Sequence, residues 1–208
     1  MLARRERFLF LADAVLGIAT ARLRYRGVLP LVPGIKVRSS EATRECFLFR
    51  HNRQALVLPL ALPEWRCDRQ WGDLSATGGL VLQQQAQGQN LFAPLFIDLD
   101  RRRMTRGLTW RQLTVGEDRQ VVPRDRAVGY RVQVGREQWI VYRSLASPGN
   151  RTLLGHNLVS ETLVGRFTGE GLVESLLEIE GMQSGQMLVA SPPHVREAHI
   201  GDAEPSDG

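Results

Sequence analysis

Long apolar runs, paired cysteines and lysine are all scarce in this 208-residue chain. No stretch reaches the roughly 18 apolar residues that a membrane-crossing helix needs, because Pro59 and Pro94 interrupt the longest ones. The two cysteines, Cys46 and Cys67, form no CxxC pair, which excludes a zinc or iron–sulfur centre built on thiolates. A chain of this length can bury a sizeable core without a disulfide staple, so both cysteines read as small buried hydrophobes. The phosphate-cradling patterns GxxxxGKS/T and GxGxxG are missing, as is the GxSxG nucleophile elbow, so nucleotide sites and doubly wound hydrolases are excluded. Convincing helical periodicity is absent over any segment longer than about ten residues.

The basic charge is carried by arginine. Lys36 is the one lysine among 27 basic residues, and the other 26 are arginines. Residues 1–149 hold 24 basic and 13 acidic side chains and residues 150–208 hold 3 and 9, so +11 is followed by −6. Guanidinium forks suit phosphate, sulfate or carboxylate partners. The arginines are nevertheless scattered, with runs only around Arg4 and at Arg101, Arg102 and Arg103, so ordinary pairing with acids at the surface is the expectation. Nucleic acid, which calls for a clustered basic stripe interleaved with exposed aromatics, is not expected as a partner.

What is present is alternation with a period of two. Arg22, Arg24 and Arg26 alternate with Leu23 and Tyr25, as in a half-buried strand. Residues 55–62 place Leu56, Leu58, Leu60 and Leu62 on one face, and Pro59, which lacks an N–H, predicts an edge or a bulge there. An exposed edge at 55–62 would also invite sheet-to-sheet dimerisation, though no oligomeric state follows from the sequence. Residues 79–86, 90–99 and 108–115 continue the series. Tyr130 to Val134 and Glu137 to Tyr142 flank Gly135-Arg136, which suits a type II′ hairpin with Val132 opposite Trp139 and Tyr130 opposite Val141. A second hairpin joins 161–167 to 172–180 across Thr168-Gly169-Glu170-Gly171. At the N-terminus, Arg4, Arg5 and Arg7 followed by apolar residues 8–18 imitate a secretory signal, but Asp13 would be costly in its apolar stretch. A buried strand over residues 8–11, turning at Ala12-Asp13, is the expectation, with a cytoplasmic location.

These patterns predict an all-β protein, a two-layer antiparallel β-sandwich of about twelve short strands. One domain spans residues 1–190, and residues 191–208 read as a flexible tail.

Candidate chemistry is sparse. Trp65 and Trp71 lie in the polar stretch 64–73 and are the tryptophans expected at the surface, where their faces could stack on sugars; Trp139 reads as core. His156 precedes the polar Asn157, Ser160 and Glu161. Asp98 and Asp100 alternate with Ile97 and Leu99, so both point to one side of a strand end, where arginines follow; salt-bridged strand-end carboxylates explain them without catalysis. No catalytic residue, metal site or cofactor is assigned.

The opening, Arg7-Phe8-Leu9-Phe10-Leu11-Ala12-Asp13-Ala14-Val15-Leu16-Gly17 followed by Leu23-Arg24-Tyr25-Arg26-Gly27-Val28-Leu29-Pro30-Leu31, resembles the start of the C-terminal β-sandwich of heparinase II/III-like polysaccharide lyases. The similarity is one of pattern and covers about the first 35 residues. It implies a carbohydrate-associated sandwich. Those lyases carry most catalytic residues on a helical toroid that this chain could not form, and a histidine of their second strand is replaced here by Tyr25 and Leu29, so no catalytic role carries over. Three classes follow, in order: a non-catalytic module that binds a glycan or a protein partner, a lyase- or glycosidase-like enzyme working through Asp98, Asp100 or His156, and an anion or nucleic-acid binder on an arginine-rich face.

Overall fold

A computed structural model describes residues 1–68, 70–147 and 149–181, and contains no helix among them. The predicted tail lies outside the described residues. In chain order the first strands are β1 (Leu2–Ala3), β2 (Phe8–Leu29), β3 (Lys36–Ser39), β4 (Cys46–Phe49), β5 (Arg53–Pro59), β6 (Gly72–Ser75) and β7 (Leu80–Asp98). They form one antiparallel sheet in the order β1-β2-β7-β5-β4-β3, with β6 also paired to β7. Next come β8 (Leu108–Leu113), β9 (Gly116–Glu117), β10 (Gln120–Val121), β11 (Ala127–Val134) and β12 (Glu137–Ser144). The last are β13 (Arg151–Leu153), β14 (His156–Leu158), β15 (Ser160–Phe167) and β16 (Val173–Glu180). A second sheet runs β16-β15-β12-β11-β8, and a small third one runs β10-β9-β13-β14. The architecture is all-β and sandwich-like, as the alternation predicts.

Both hairpins form as expected. Val132 stands opposite Trp139 and Tyr130 opposite Val141, and Gly135 takes a φ of 63° while Arg136 does not, as a type II′ turn requires. β15 and β16 pair across the second turn, closed by a bond from the Thr168 amide to the Leu172 carbonyl.

The strands are not uniformly short, and this corrects the expectation of twelve. β2 and β7 run for 22 and 19 residues and pair along nearly their whole length. Ala12 and Asp13 continue the strand where a turn was expected. The register is regular from Phe8–Asp98 to Leu16–Asn90, then jumps so that Ala21 meets Gly88. Four residues of β2, 17–20, thus stand against Gln89 alone. Two glycines permit this bend. A Cβ on Gly88 would lie 2.8 Å from Cβ of Asp125, and one on Gly17 would lie 2.6 Å from the Gln89 carbonyl oxygen. Asn90, itself buried, fastens the bend: its side-chain oxygen accepts from the Gly17 amide at 3.1 Å, and its amide donates to the Asp125 and Leu145 carbonyls at 2.7 and 3.0 Å.

The bend changes which β7 side chains face which way. Beyond it, Phe92 and Phe96 join Phe8, Phe10, Leu56 and Leu58 against the second sheet. Their alternating neighbours Leu91, Ala93, Leu95 and Ile97 instead join a second core with Leu80 and Leu82, which precede the bend, and with Leu23 and Tyr25. The first sheet therefore folds over its own back, and Tyr25 closes the fold by donating its hydroxyl to Asp13 at 2.5 Å.

Pro59 sits in an interior strand, because β5 pairs with both β4 and β7. It is tolerated as the last residue of β5, and the Leu60 amide resumes bonding to the Pro94 carbonyl at 3.1 Å. Residues 55–62 offer no edge for dimerisation. Leu62 also leaves the face of its neighbours and joins the second core.

Trp139 anchors the main core with no exposed surface, 5.7 Å from the Phe8 ring and 5.2 Å from the Phe96 ring by centroids. Arg103 lies 5.0 Å above its ring while gripping Asp98 with two bonds, at 3.0 and 2.7 Å. The Trp139 indole N–H has no acceptor among the described residues. Trp139→Ala is accordingly expected to lower the unfolding free energy by about 3–5 kcal/mol. Trp139→Phe, which keeps a ring and removes an unsatisfied donor, should cost less than about 2 kcal/mol. Urea denaturation monitored by circular dichroism distinguishes the two outcomes.

Candidate binding groove

Between β5 and β6 the sequence reads Pro63-Glu64-Trp65-Arg66-Cys67-Asp68-Arg69-Gln70-Trp71, and Trp65, Cys67, Gln70 and Trp71 are exposed. This stretch is too polar to enter a core, and its internal bonds among the described residues are few, from the Gln70 amide and side chain to Asp68 at 2.9 and 2.7 Å. Arg44, fully buried, supplies what it lacks. Its guanidinium donates to the Pro63 carbonyl at 2.9 Å and the Gly72 carbonyl at 3.4 Å, and also to the carbonyls of Trp65 and Asp68. Burial pulls the Arg44 pKa below its ordinary value, and Asp73, 3.8 Å away, pushes it back. Arg66 adds a bond to the Thr43 carbonyl at 2.8 Å and an ion pair with Asp73. Amide bonds from Arg44 to Glu64 and from Arg66 to Ala42, both 2.9 Å, complete the clasp.

The clasp holds Trp65 and Trp71 outward, with 58% and 45% of their surfaces exposed. Two adjoining hollows open beside them, of about 260 and 490 Å³, and share a wall made by Ala61, Leu62, Pro63, Gln112 and Arg124. The first is bordered by Trp71, Gln84, Gln85, Asn90 and Asp125, with Tyr130 at its base. The second is bordered by Trp65, Glu64, Cys67 and Arg111, with Trp110 at its base. Trp110 is core: its indole N–H donates to the Leu62 carbonyl at 2.8 Å. Thr109 ties β8 to the clasped segment through Glu64 at 2.7 Å. Gln84 is buried and donates to the Phe92 carbonyl at 2.9 Å, yet its side-chain oxygen has no partner among the described residues. Arg111 and Arg124 are exposed and have no carboxylate within 4.0 Å among those residues.

Of the residues singled out from sequence, Trp65 and Trp71 come together at this groove, and the others do not line it. Asp98 is fully buried beneath Arg103 and also accepts the Asp100 amide at 2.8 Å. Asp100 caps the following turn through the Arg102 amide at 3.0 Å and lies 3.8 Å from Arg7. Both are strand-end structural carboxylates. His156 sits half-buried in β14, opposite Leu153. No group of three or more His, Cys, Asp and Glu side chains is placed to hold a metal among the described residues. The expectation of surface arginine pairs needs correcting at two positions, since Arg44 and Arg151 are fully buried. The sequence reading missed Gln84, Gln85, Gln112 and Arg124; the run Gln83-Gln84-Gln85 inside a strand was the available signal.

The cysteines divide. Both are free; Cys46 is buried and Cys67 is exposed in the groove wall, against the expectation that both are core. Burial pushes the Cys46 thiol from 9.0 up to about 12. Comparison with protein-family models, with curated proteins and with solved structures finds no match to this chain.

Replacing Arg44 by Met leaves several carbonyls without their donor, each worth about 1–3 kcal/mol when buried. The expected result is a loss of at least about 3 kcal/mol and rapid tryptic cleavage within residues 63–72, while Arg44→Lys recovers only part of the protection. Thiol titration with a disulfide reagent should find one fast-reacting group in the native protein and a second only on unfolding. Because Cys46 keeps its proton to about 12 when folded but ionises near 9.0 when unfolded, its contribution is full below pH 9 and falls as pH rises through that window. Tyr25, raised from 10.0 to about 12 by burial and by its bond to Asp13, acts with the same sign. Urea midpoints measured from pH 8 upward should therefore fall, and less steeply in Cys46→Ala.

Proposed function

We propose that this chain is a non-catalytic glycan-binding module, and that the groove beside Trp65 and Trp71 is where the sugar lies. The observation that carries this reading is the pairing of exposed indole faces with a buried acceptor, Gln84, that lacks a donor. Sugars present both complements at once: an apolar C–H face that packs on an aromatic ring, and hydroxyls that donate to amide oxygens. Gln85 and Gln112 add further amides along the same walls. The two hollows adjoin and each carries one tryptophan, which suits a chain of at least two sugar units. Arg111 and Arg124 would favour an acidic substituent on that chain. The carboxylates that border the groove are engaged in holding the chain, Glu64 accepting from Thr109, Asp68 from the Gln70 amide at 2.9 Å and Asp125 from the Gln89 amide at 2.8 Å, and this supports binding over turnover.

Isothermal titration against neutral and uronic-acid oligosaccharides, each at low and high salt, tests the reading. Trp65→Ala and Trp71→Ala should each weaken binding by about tenfold, equivalent to about 1.4 kcal/mol. Gln84→Leu should weaken it too, and should cost about 1–3 kcal/mol of stability because the Phe92 carbonyl loses its donor. Absence of binding to every oligosaccharide, or binding indifferent to both tryptophans, would overturn the proposal; release of unsaturated products would replace it with a lyase.

A further inference from the structure

Of the strand edges left unpaired among the described residues, those of β2 and β16 carry opposite charge. β2 stands at the rim of the first sheet: β1 covers it only at Phe8 and Leu9, and Met1 bonds to Phe10, so the rim is bare from Leu11 to Leu29. Arg22, Arg24 and Arg26 project from it, all exposed. β16 stands at the rim of the second sheet and pairs only with β15. It presents Glu174, Glu178 and Glu180, all exposed and with no cation within 4.0 Å among the described residues. Exposed rims of this kind are templates for a further strand.

We infer that β2 of one molecule pairs with β16 of a second copy of the same chain. An antiparallel register places Arg22 opposite Glu180 and Arg24 opposite Glu178. The same register places Leu23 opposite Ile179 and Tyr25 opposite Leu177 on the other face. Leu23 and Tyr25 belong to the second core of their own molecule, and Leu177 packs on the main core of its own, so apolar surface would run unbroken across the junction. Ile179, 43% exposed, gains cover there. The run ends at Leu176, which stands unpaired where the β15–β16 register shifts. Pairing β2 with β2 would set arginine against arginine, and β16 with β16 glutamate against glutamate; like charges directly opposite are destabilising. The contact is therefore head-to-tail, which generates rings or open chains rather than closed two-fold dimers. This inference does not rest on the groove: none of its tryptophans takes part, and the one link is the bond from Arg22 to Gln85 in its wall at 3.0 Å, which R24E leaves in place.

Sedimentation velocity of the full chain across a concentration series tests it. In about 10 mM salt, where charges act over about 30 Å, species larger than a dimer are expected. They should dissociate in about 1 M salt, where that reach falls to about 3 Å. R22E/R24E and E178R/E180R should each be monomeric, their association weakened at least about tenfold. An equimolar mixture of the two should associate again, because each then offers the other an opposite rim. Circular dichroism checks that both variants fold, and the milder pair R24E and E178R replaces them if either does not. A wild-type chain that stays monomeric at low salt, variants that associate like wild type, or a mixture that stays monomeric would each overturn the inference.

Discussion

Everything in this molecule hangs on the antiparallel pairing of β2 with β7 and on the offset within it. Because four residues of one strand meet a single residue of the other, the side chains of β7 change sides partway along. One ribbon thereby supplies phenylalanines to the interior between the sheets and leucines to the interior beneath its own curl. A regular hairpin of this length would have one wet face.

Arginine performs the work that helix caps and disulfides perform elsewhere. Arg44 gathers carbonyls of the segment at 63–72, Arg103 secures the end of β7 through Asp98, and Arg151 gathers Tyr142, Ser144 and the Ser147 carbonyl. Each case uses several donors of one planar fork, which a lysine ammonium does not present in that geometry. Irregular segments lack partners for their own backbone groups, and a buried guanidinium answers several of them at once. The groove exists because its rim is held this way.

Alternation with period two was enough to read the fold class, the strand faces at Leu23 and Tyr25, and the β11–β12 register down to the pair Val132–Trp139. It was also enough to assign Trp65 and Trp71 to the surface, since the polar residues around them leave no apolar face to bury. The continuity of β2 and β7 escaped, because Asp13 and Gly88 look like turn residues until strand partners far along the chain, Ala93 and Ala21, stand opposite them. Pro59 misled for a related reason: its missing N–H argues for an edge only if the strand continues past it. The amide lining of the groove is built from residues distant in the chain, such as Gln84 and Gln112, and nothing local marks their meeting. Burial of Arg44 is equally illegible, since the acceptors that make it tolerable are main-chain oxygens and have no letter in a sequence.

The shared ribbon has a thermodynamic corollary. A protein with separate interiors could in principle melt in stages, each interior losing its packing at its own temperature. Here the same covalent strand belongs to two of them, so disordering one strips the other of a wall. The interiors are therefore bound into one cooperative transition, and the stiffness of a few peptide units at the bend decides how faithfully disorder on one side is transmitted to the other.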